Sequence, residues 1–479
     1  MPAAEQEESP MYRRILSPVV FVLCAALVFP AGAVDIVIDC DQRYQQMEGI
    51  GAHLYNWSAY TKDYYPTDQF LDDYLGDLGN SMVRFEMHPN LCTAELQLVD
   101  MESYGNYTME LSDDGVAWVC TTLANIVTRD PSVKVIGTVW SPPGWMKDNG
   151  RTCCGGHLQP AYYEHYARYL YQWYTFMQNE FGVTLYAMST QNELRFYEPY
   201  NSCIYDPVAY RDMMKVVGAY FDSQGCPVKF FGPEDMTHWA DKVVEFIDAI
   251  MQDPDARDDL DIIATHGYLD GVISGGGTPE ENMELYLLTR QHGLPYWMTE
   301  TSGEDWHWED GLGFNSNGTP REGALNGLAT KMHTSFVYGF CSGWTYWAYG
   351  GPGSTGAYGL SPTPGDMKYI AHKHYSKFIR PGAYRVAAAP DGQDGIWASA
   401  YHHQDDNTLT SVILNVGDVE RTVNLRINDV TVSSGLNVYR TSAQDTFSQL
   451  ADLAVDAATG TATITLPPRS MVTLTGAAS

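Results

Sequence analysis

Between residues 47 and 378, short apolar runs alternate with longer stretches whose apolar positions recur every three or four residues. The runs at 47–54, 81–88, 134–143, 184–193, 229–236, 261–268, 295–302 and 339–350 read as strands, each bounded by polar or turn-forming residues. The stretches at 160–181, 207–224, 239–251, 279–292 and 321–338 have helical periodicity. Strands alternating with helices predict parallel pairing, and eight strands predict closure into an α/β (β/α)8 TIM barrel over residues 47–379. After Arg380-Pro381-Gly382 the pattern changes to short alternating strands, such as 408–415, 422–427 and 461–466, separated by Asp, Asn, Gly and Ser. Residues 380–479 therefore predict an associated all-β sandwich domain. Residues 34–46 precede the first barrel strand and are expected to join that sandwich.

The N-terminal pattern belongs to neither domain. Arg13-Arg14 precedes an apolar run over 15–29, then Pro30 and Ala31-Gly32-Ala33. A charged start, an apolar middle and small residues before a cleavage point predict a signal peptide over 1–33 and a secreted or periplasmic product. The run is short for a membrane span, so no stable anchor is expected after cleavage. Beyond it the chain has Cys40, Cys92, Cys120, Cys153, Cys154, Cys203, Cys226 and Cys341, an even set that predicts disulfides in an exported protein. Sequons stand at Asn56, Asn106 and Asn317.

Composition narrows the partners. A formal charge of −31 argues against nucleic acid and anionic membranes, because both need a basic face. The 33 Tyr and 12 Trp are ample for ring stacking against sugars, although large barrels also pack many aromatics. His157, His165, His292, His307, His372 and His374 are scattered without metal-ligand spacing. Cys153-Cys154 beside His157 fits a disulfide better than a metal site in an oxidising compartment. No metal or cofactor is expected, and the protein is expected to be a monomer.

Candidate chemistry follows from the barrel. Functional side chains of this fold gather where strands end at the C-terminal face. The fourth candidate strand ends Gln191-Asn192-Glu193 and the seventh ends Met298-Thr299-Glu300. Two carboxylates from different strands at one rim are what glycoside hydrolysis needs, one to protonate the leaving oxygen and one to attack the anomeric carbon.

Several segments carry a resemblance: Met47-Glu48-Gly49-Ile50-Gly51-Ala52, Arg84, Val139-Trp140-Ser141-Pro142-Pro143-Gly144-Trp145-Met146-Lys147, Gln191-Asn192-Glu193, His266-Gly267-Tyr268, Met298-Thr299-Glu300 and Gly343-Trp344-Thr345-Tyr346-Trp347. In order and spacing the chain resembles glycoside hydrolase family 30, whose barrel is joined to a β-sandwich, and the resemblance covers the whole mature chain. It implies a retaining enzyme with Glu193 as acid/base and Glu300 as nucleophile. Arg84 would hold the nucleophile's charge, and Asn192 would bond the sugar 2-hydroxyl. Trp140 and Trp347 would wall the bound sugar, with polar contacts from His266 and Tyr268. Trp145 and Trp344 are weaker candidates for the site.

The departures bear on substrate. The family's usual Pro after Asn-Glu is Leu194 here, which predicts a different loop geometry. Chain-end-acting relatives place an acid shortly after the strand-two arginine, a pattern that residues 85–91 do not clearly match. Tyr200-Asn201-Ser202-Cys203 instead resembles a Y-x-S-C segment of endo-acting xylanases and β-1,6-glycanases. The loop after Glu300 carries Glu304, Asp305, Glu309 and Asp310, which would repel a glucuronate branch unless Arg195 or Arg321 compensates. The expected activity is double-displacement cleavage, endo-acting on an uncharged β-linked polysaccharide or oligosaccharide of the xylan or β-1,6-glucan/galactan type. The alternatives are an exo-acting β-glycosidase of the same family and a catalytically inactive carbohydrate-binding protein.

Overall fold

A computed structural model of the chain describes residues 33–55, 59–89, 116–236, 240–268, 279–314, 320–354 and 356–479. The leader up to residue 32, the three sequon asparagines and Cys92 lie outside the described residues.

The barrel closes in the order β11-β2-β3-β4-β5-β6-β7-β8. Its strands are β2 (Gly49–Leu54), β3 (Met82–Glu86), β4 (Lys134–Thr138), β5 (Ala187–Ser189), β6 (Lys229–Met236), β7 (Ile262–His266), β8 (Tyr296–Glu300) and β11 (Gly343–Tyr349). All neighbouring pairs are parallel. Each strand is covered on both faces, so β2, β3, β7 and β8 are buried at every position and read as apolar runs rather than alternations. Met82, Ile136, Ala187, Phe231, Ile262, Ala264 and Trp297 form their own cluster, while helices such as Tyr163–Phe181 pack the outer layer. That helix buries Tyr166, Tyr169, Leu170, Trp173 and Met177, so most of its aromatic stripe is core.

Three boundaries differ from the sequence reading. The ladder of β5 stops at Ser189, and residues 190–193 form an irregular turn instead of a strand end. The strand read over 134–143 ends at Thr138. Residues 310–338 hold a hairpin of β9 (Asp310–Phe314) with β10 (Pro320–Glu322), then the π-helical Ala324–Ala329 and the helix Thr330–Val337. Apolar periodicity sees the helix and misses the hairpin, whose pairing is set across the loop.

The C-terminal domain is one hydrogen-bonded sheet of nine strands. It contains β1 (Val34–Gln46), β12 (Tyr384–Ala389), β13 (Ile396–His403), β14 (Thr408–Asn415), β15 (Arg421–Asn428), β16 (Leu436–Thr441), β17 (Ser448–Leu453), β18 (Thr461–Leu466) and β19 (Ser470–Ala477). Strand β1 runs antiparallel to β12 and parallel to β15, so the N-terminal segment lies in the middle of this sheet. Its Val34, Ile36, Ile38 and Cys40 alternate inward onto an apolar core shared with β12–β16, β18 and β19.

The cysteines do not form a framework among the described residues. Cys153 and Cys154 are joined to each other, and Cys40, Cys120, Cys203, Cys226 and Cys341 are free. Four of those five are buried and pack as small apolar groups. Among the described residues, no helix is long and apolar enough to cross a membrane.

Candidate active site

The turn after β5 presents Glu193. Its backbone sits at φ +45°, in the left-handed region, and its N–H donates to the Glu234 carbonyl at 3.0 Å. Glu234, on β6, has φ +52°. Such geometry costs non-glycine residues about 1 kcal/mol each, and two together at one rim is a mark of a functional site. The turn is held by its neighbours: Asn192 N–H donates to the Val139 carbonyl at 2.7 Å, and Gln191 Nε2 to the Trp140 carbonyl at 2.7 Å. Tyr166 donates its hydroxyl to the Thr190 carbonyl. Leu194 is fully buried, so the residue standing where the family has Pro serves as a packing anchor.

Glu300, at the end of β8, faces Glu193 across the barrel mouth. Its Oε2 accepts from Arg84 Nη1 at 2.6 Å and its Oε1 from the Tyr268 hydroxyl at 3.1 Å. Arg84 also donates from Nη2 to Asn192 Oδ1 at 2.8 Å and from Nε to Thr138 Oγ1 at 3.2 Å. Its guanidinium lies 4.6 Å from the Trp140 ring centroid. His266 Nδ1 is 2.9 Å from Glu193 Oε1 and 3.8 Å from Glu300 Oε2. The side chains of Arg84, Glu234 and His266 are 0% exposed, and those of Glu193 and Glu300 are 7% exposed.

Environment separates the two glutamates. Burial pushes the Glu193 carboxyl up to about 7, with the negative charge of Glu300 adding to it and His266 opposing it. Glu300 instead receives a charge-assisted hydrogen bond from Arg84 at 2.6 Å. Burial works against a charge on His266, yet Glu300 and hydrogen bonds to Glu193 and Glu234 raise it to about 10. One ligand-type atom each from Glu193, His266 and Glu300 lie within 4.8 Å of one another. Arg84 already occupies Glu300 Oε2, so these donors fit a proton-transfer site better than a metal site.

The aromatic wall forms around this floor. The rings of Trp140 and Trp347 are 5.8 Å apart, and His53 stacks on Trp347 at 4.7 Å. Trp145 packs on Tyr162 and His165 instead, and Trp344 is fully buried beside His372. His266 and Tyr268, expected to touch sugar, bond to the two glutamates. In the loop after Glu300, Glu304 is a buried partner of Lys331, Asp305 pairs with His307, and Glu309 pairs with Arg469. Arg195 pairs with Glu245. Those three acids are therefore paired within the protein, and the side chain of Asp310 lies outside the described residues. Two other acids stand at this rim: Glu86, at the end of β3, accepts from Asn201 Nδ2 at 2.8 Å, and Glu198 is raised to about 7 by burial and by the charge of Glu300, against a hydrogen bond from Tyr200.

The Y-x-S-C segment acts as a brace. Ser202 Oγ accepts from the N–H groups of Gly155 and Glu198, and Lys147 Nζ donates to the Ser202 carbonyl at 2.5 Å. Sequence reading missed His53, Glu198 and Glu234. Only Glu234 left a signal, as an acid inside the apolar strand of Phe230-Phe231-Gly232-Pro233.

Comparisons with known proteins agree with this geometry. The Glycosyl hydrolase family 30 TIM-barrel domain matches residues 95–296. A glucuronoxylanase, XynC, of Bacillus subtilis is 26% identical over 59% of this chain and 60% of that protein, so the chain spans three fifths of its length. An endo-1,6-beta-D-glucanase of Neurospora crassa is 25% identical over 68% of this chain and 67% of its own. The xylanase Xyn30A of Clostridium acetobutylicum, described as family 30 subfamily 8, superposes with a TM-score of 0.73 at 24% identity, covering 92% of this chain and 99% of that one. The closed barrel and its strand-end carboxylates thus accompany a match to the Glycosyl hydrolase family 30 TIM-barrel domain over residues 95–296.

Proposed function

We propose that the protein is a secreted, retaining glycoside hydrolase that cuts an uncharged β-linked glycan internally by double displacement. The observation that carries this is the pair of unlike glutamates whose nearest oxygens lie within 4.8 Å. Retaining enzymes hold their carboxyl groups about 5–5.5 Å apart, whereas inverting enzymes need about 6.5–9.5 Å to admit a water. Glu193, protonated to about pH 7, gives its proton to the leaving oxygen as Glu300 attacks the anomeric carbon. The same Glu193 then takes a proton from the water that releases the sugar. Asn192 accepts from Arg84 through its amide oxygen, which leaves its NH2 for the sugar 2-hydroxyl. Trp140 and Trp347 supply apolar faces for the ring.

An uncharged glycan is supported by Glu86, an acid at the C-terminal end of β3 that disfavours a carboxylated branch at that rim. Relatives are named for glucuronoxylan and for 1,6-β-D-glucan, so both backbones belong in the test. Secretion is supported by the leader alone. Incubation with unbranched xylan, glucuronoxylan, β-1,6-glucan and β-1,6-galactan tests the reading. It predicts oligosaccharides from an uncharged substrate. Monosaccharide alone would mean exo action, and a requirement for glucuronate would overturn the charge argument.

A further inference from the structure

Glu234 is a charged group in the active-site floor that the double displacement does not use. It sits on β6 with 0% of its side chain exposed. Its Oε1 lies 3.1 Å from Arg84 Nη2 and 3.5 Å from His266 Nε2, so one carboxylate oxygen touches both buried cations. Its Oε2 has no hydrogen-bond partner. Its backbone carbonyl takes the Glu193 N–H, and both residues are held in the left-handed region. A carboxylate kept in a strained, partly unsatisfied and fully dry position needs a reason beyond packing.

The reason lies in how charge moves. In the first step the bond between the anomeric carbon and the leaving oxygen breaks as that carbon bonds to Glu300. The departing electron pair stays on the oxygen, which takes the Glu193 proton. Glu300 becomes a neutral ester and Glu193 becomes the anion. The second step reverses both changes. Arg84 is bonded to Glu300 and does not bond to Glu193, so during the intermediate it loses the anion that faces it. A buried guanidinium without a counter-ion is costly. We propose that Glu234 is a positioning residue acting through Arg84 and His266, its fixed charge holding both cations in place while the site's negative charge passes from Glu300 to Glu193 and back. Arg84 and His266 hold Glu234 at about 2 against the upward push of burial, so it stays ionised throughout the cycle. The inference rests on the retaining mechanism proposed above.

The groups facing this cluster are Arg84 from β3, His53 from β2, Glu193 after β5, Tyr210 from the helix Pro207–Ser223, Asp235 on β6, His266 from β7, Tyr268 just after it and Glu300 from β8. Removing one anion from it makes proton binding weaker for every neighbour, and such coupled groups titrate as a unit. The test compares full-length wild type, Glu234→Gln and Glu234→Asp. Turnover is screened with 2,4-dinitrophenyl β-xylobioside and β-gentiobioside, and kcat/KM and its pH profile are taken on xylan, β-1,6-glucan and β-1,6-galactan, whose leaving oxygen needs the Glu193 proton. Glu234→Gln, nearly identical in shape, is expected to lose kcat/KM on the order of 10²-fold. It is also expected to move the alkaline limb of the profile down by about one pH unit or more. Glu234→Asp keeps the charge and should keep the limb within about one unit. A space-filling role predicts the opposite order, with Gln harmless and Asp damaging, and that order overturns the inference. Glu234→Gln matching wild type in both readouts also overturns it. If Glu234→Gln does not fold, the Asp variant decides alone, its limb staying supporting the inference and its limb moving further overturning it. A wild type inactive on every probe and glycan sinks the mechanism above, and the inference with it.

Discussion

The two ends of the barrel each hold a glutamate among donors, and they are built on opposite plans. At the N-terminal end, Glu48 accepts from Trp297 Nε1 at 2.7 Å, Ser342 Oγ at 3.0 Å and the Tyr186 hydroxyl at 3.1 Å, with Lys134 at 3.7 Å. Its carboxylate is satisfied by several donors and stays partly in contact with solvent. At the C-terminal end, three glutamates share two cations in a dry floor, and buried acceptors at Gln191, Glu198 and Glu234 go without partners. A saturated carboxylate ties strands together. Crowded and unsatisfied ones hold charge ready to move, which is how one fold keeps stability at one face and chemistry at the other.

The contrast can be broken by substitution. Glu300→Gln removes the nucleophile, and kcat/KM should fall on the order of 10⁴-fold or more while the melting transition stays cooperative. Glu193→Gln should cost about 10²–10⁴-fold, least with a dinitrophenyl leaving group that needs no proton. At the other face, Glu48→Ala should leave kcat/KM nearly intact. It should cost about 1–3 kcal/mol in denaturant unfolding, because Trp297 and Ser342 lose their acceptor. An active-site loss from Glu48→Ala larger than its stability cost would erase the distinction between the two ends.

Titration sharpens it further. Glu193 must be protonated to act, so activity is full below its raised pKa and falls as pH climbs through about 7. A flat profile to pH 9 would contradict the role given to burial. The smallest effect concerns the leader: the N-terminus of protein recovered from the medium should begin near Val34, as read by Edman chemistry or mass spectrometry.

The alternation of strands and helices was legible because parallel barrel strands must be apolar on both faces, and the glutamate pair because strand ends have a fixed functional meaning. Glu234 was not, since an acid inside an apolar strand gains its meaning only when Arg84 and His266 arrive from other strands. The loop acids misled for the same reason: Glu304 looks like surface charge in sequence, and Lys331 claims it only in three dimensions. The even cysteine count carried no geometry: among the described residues it leaves Cys153 bonded to Cys154 and five thiols free.

The pairing of roles at the C-terminal end is tested most directly by azide rescue of two alanine variants. With a dinitrophenyl β-glycoside, Glu193→Ala in azide should regain turnover and yield the β-glycosyl azide, because azide enters the covalent intermediate from the vacated acid side. Glu300→Ala should yield the α-glycosyl azide, because azide then replaces the nucleophile itself. The reverse configurations would exchange the two roles, and an α product from both would contradict a retaining mechanism.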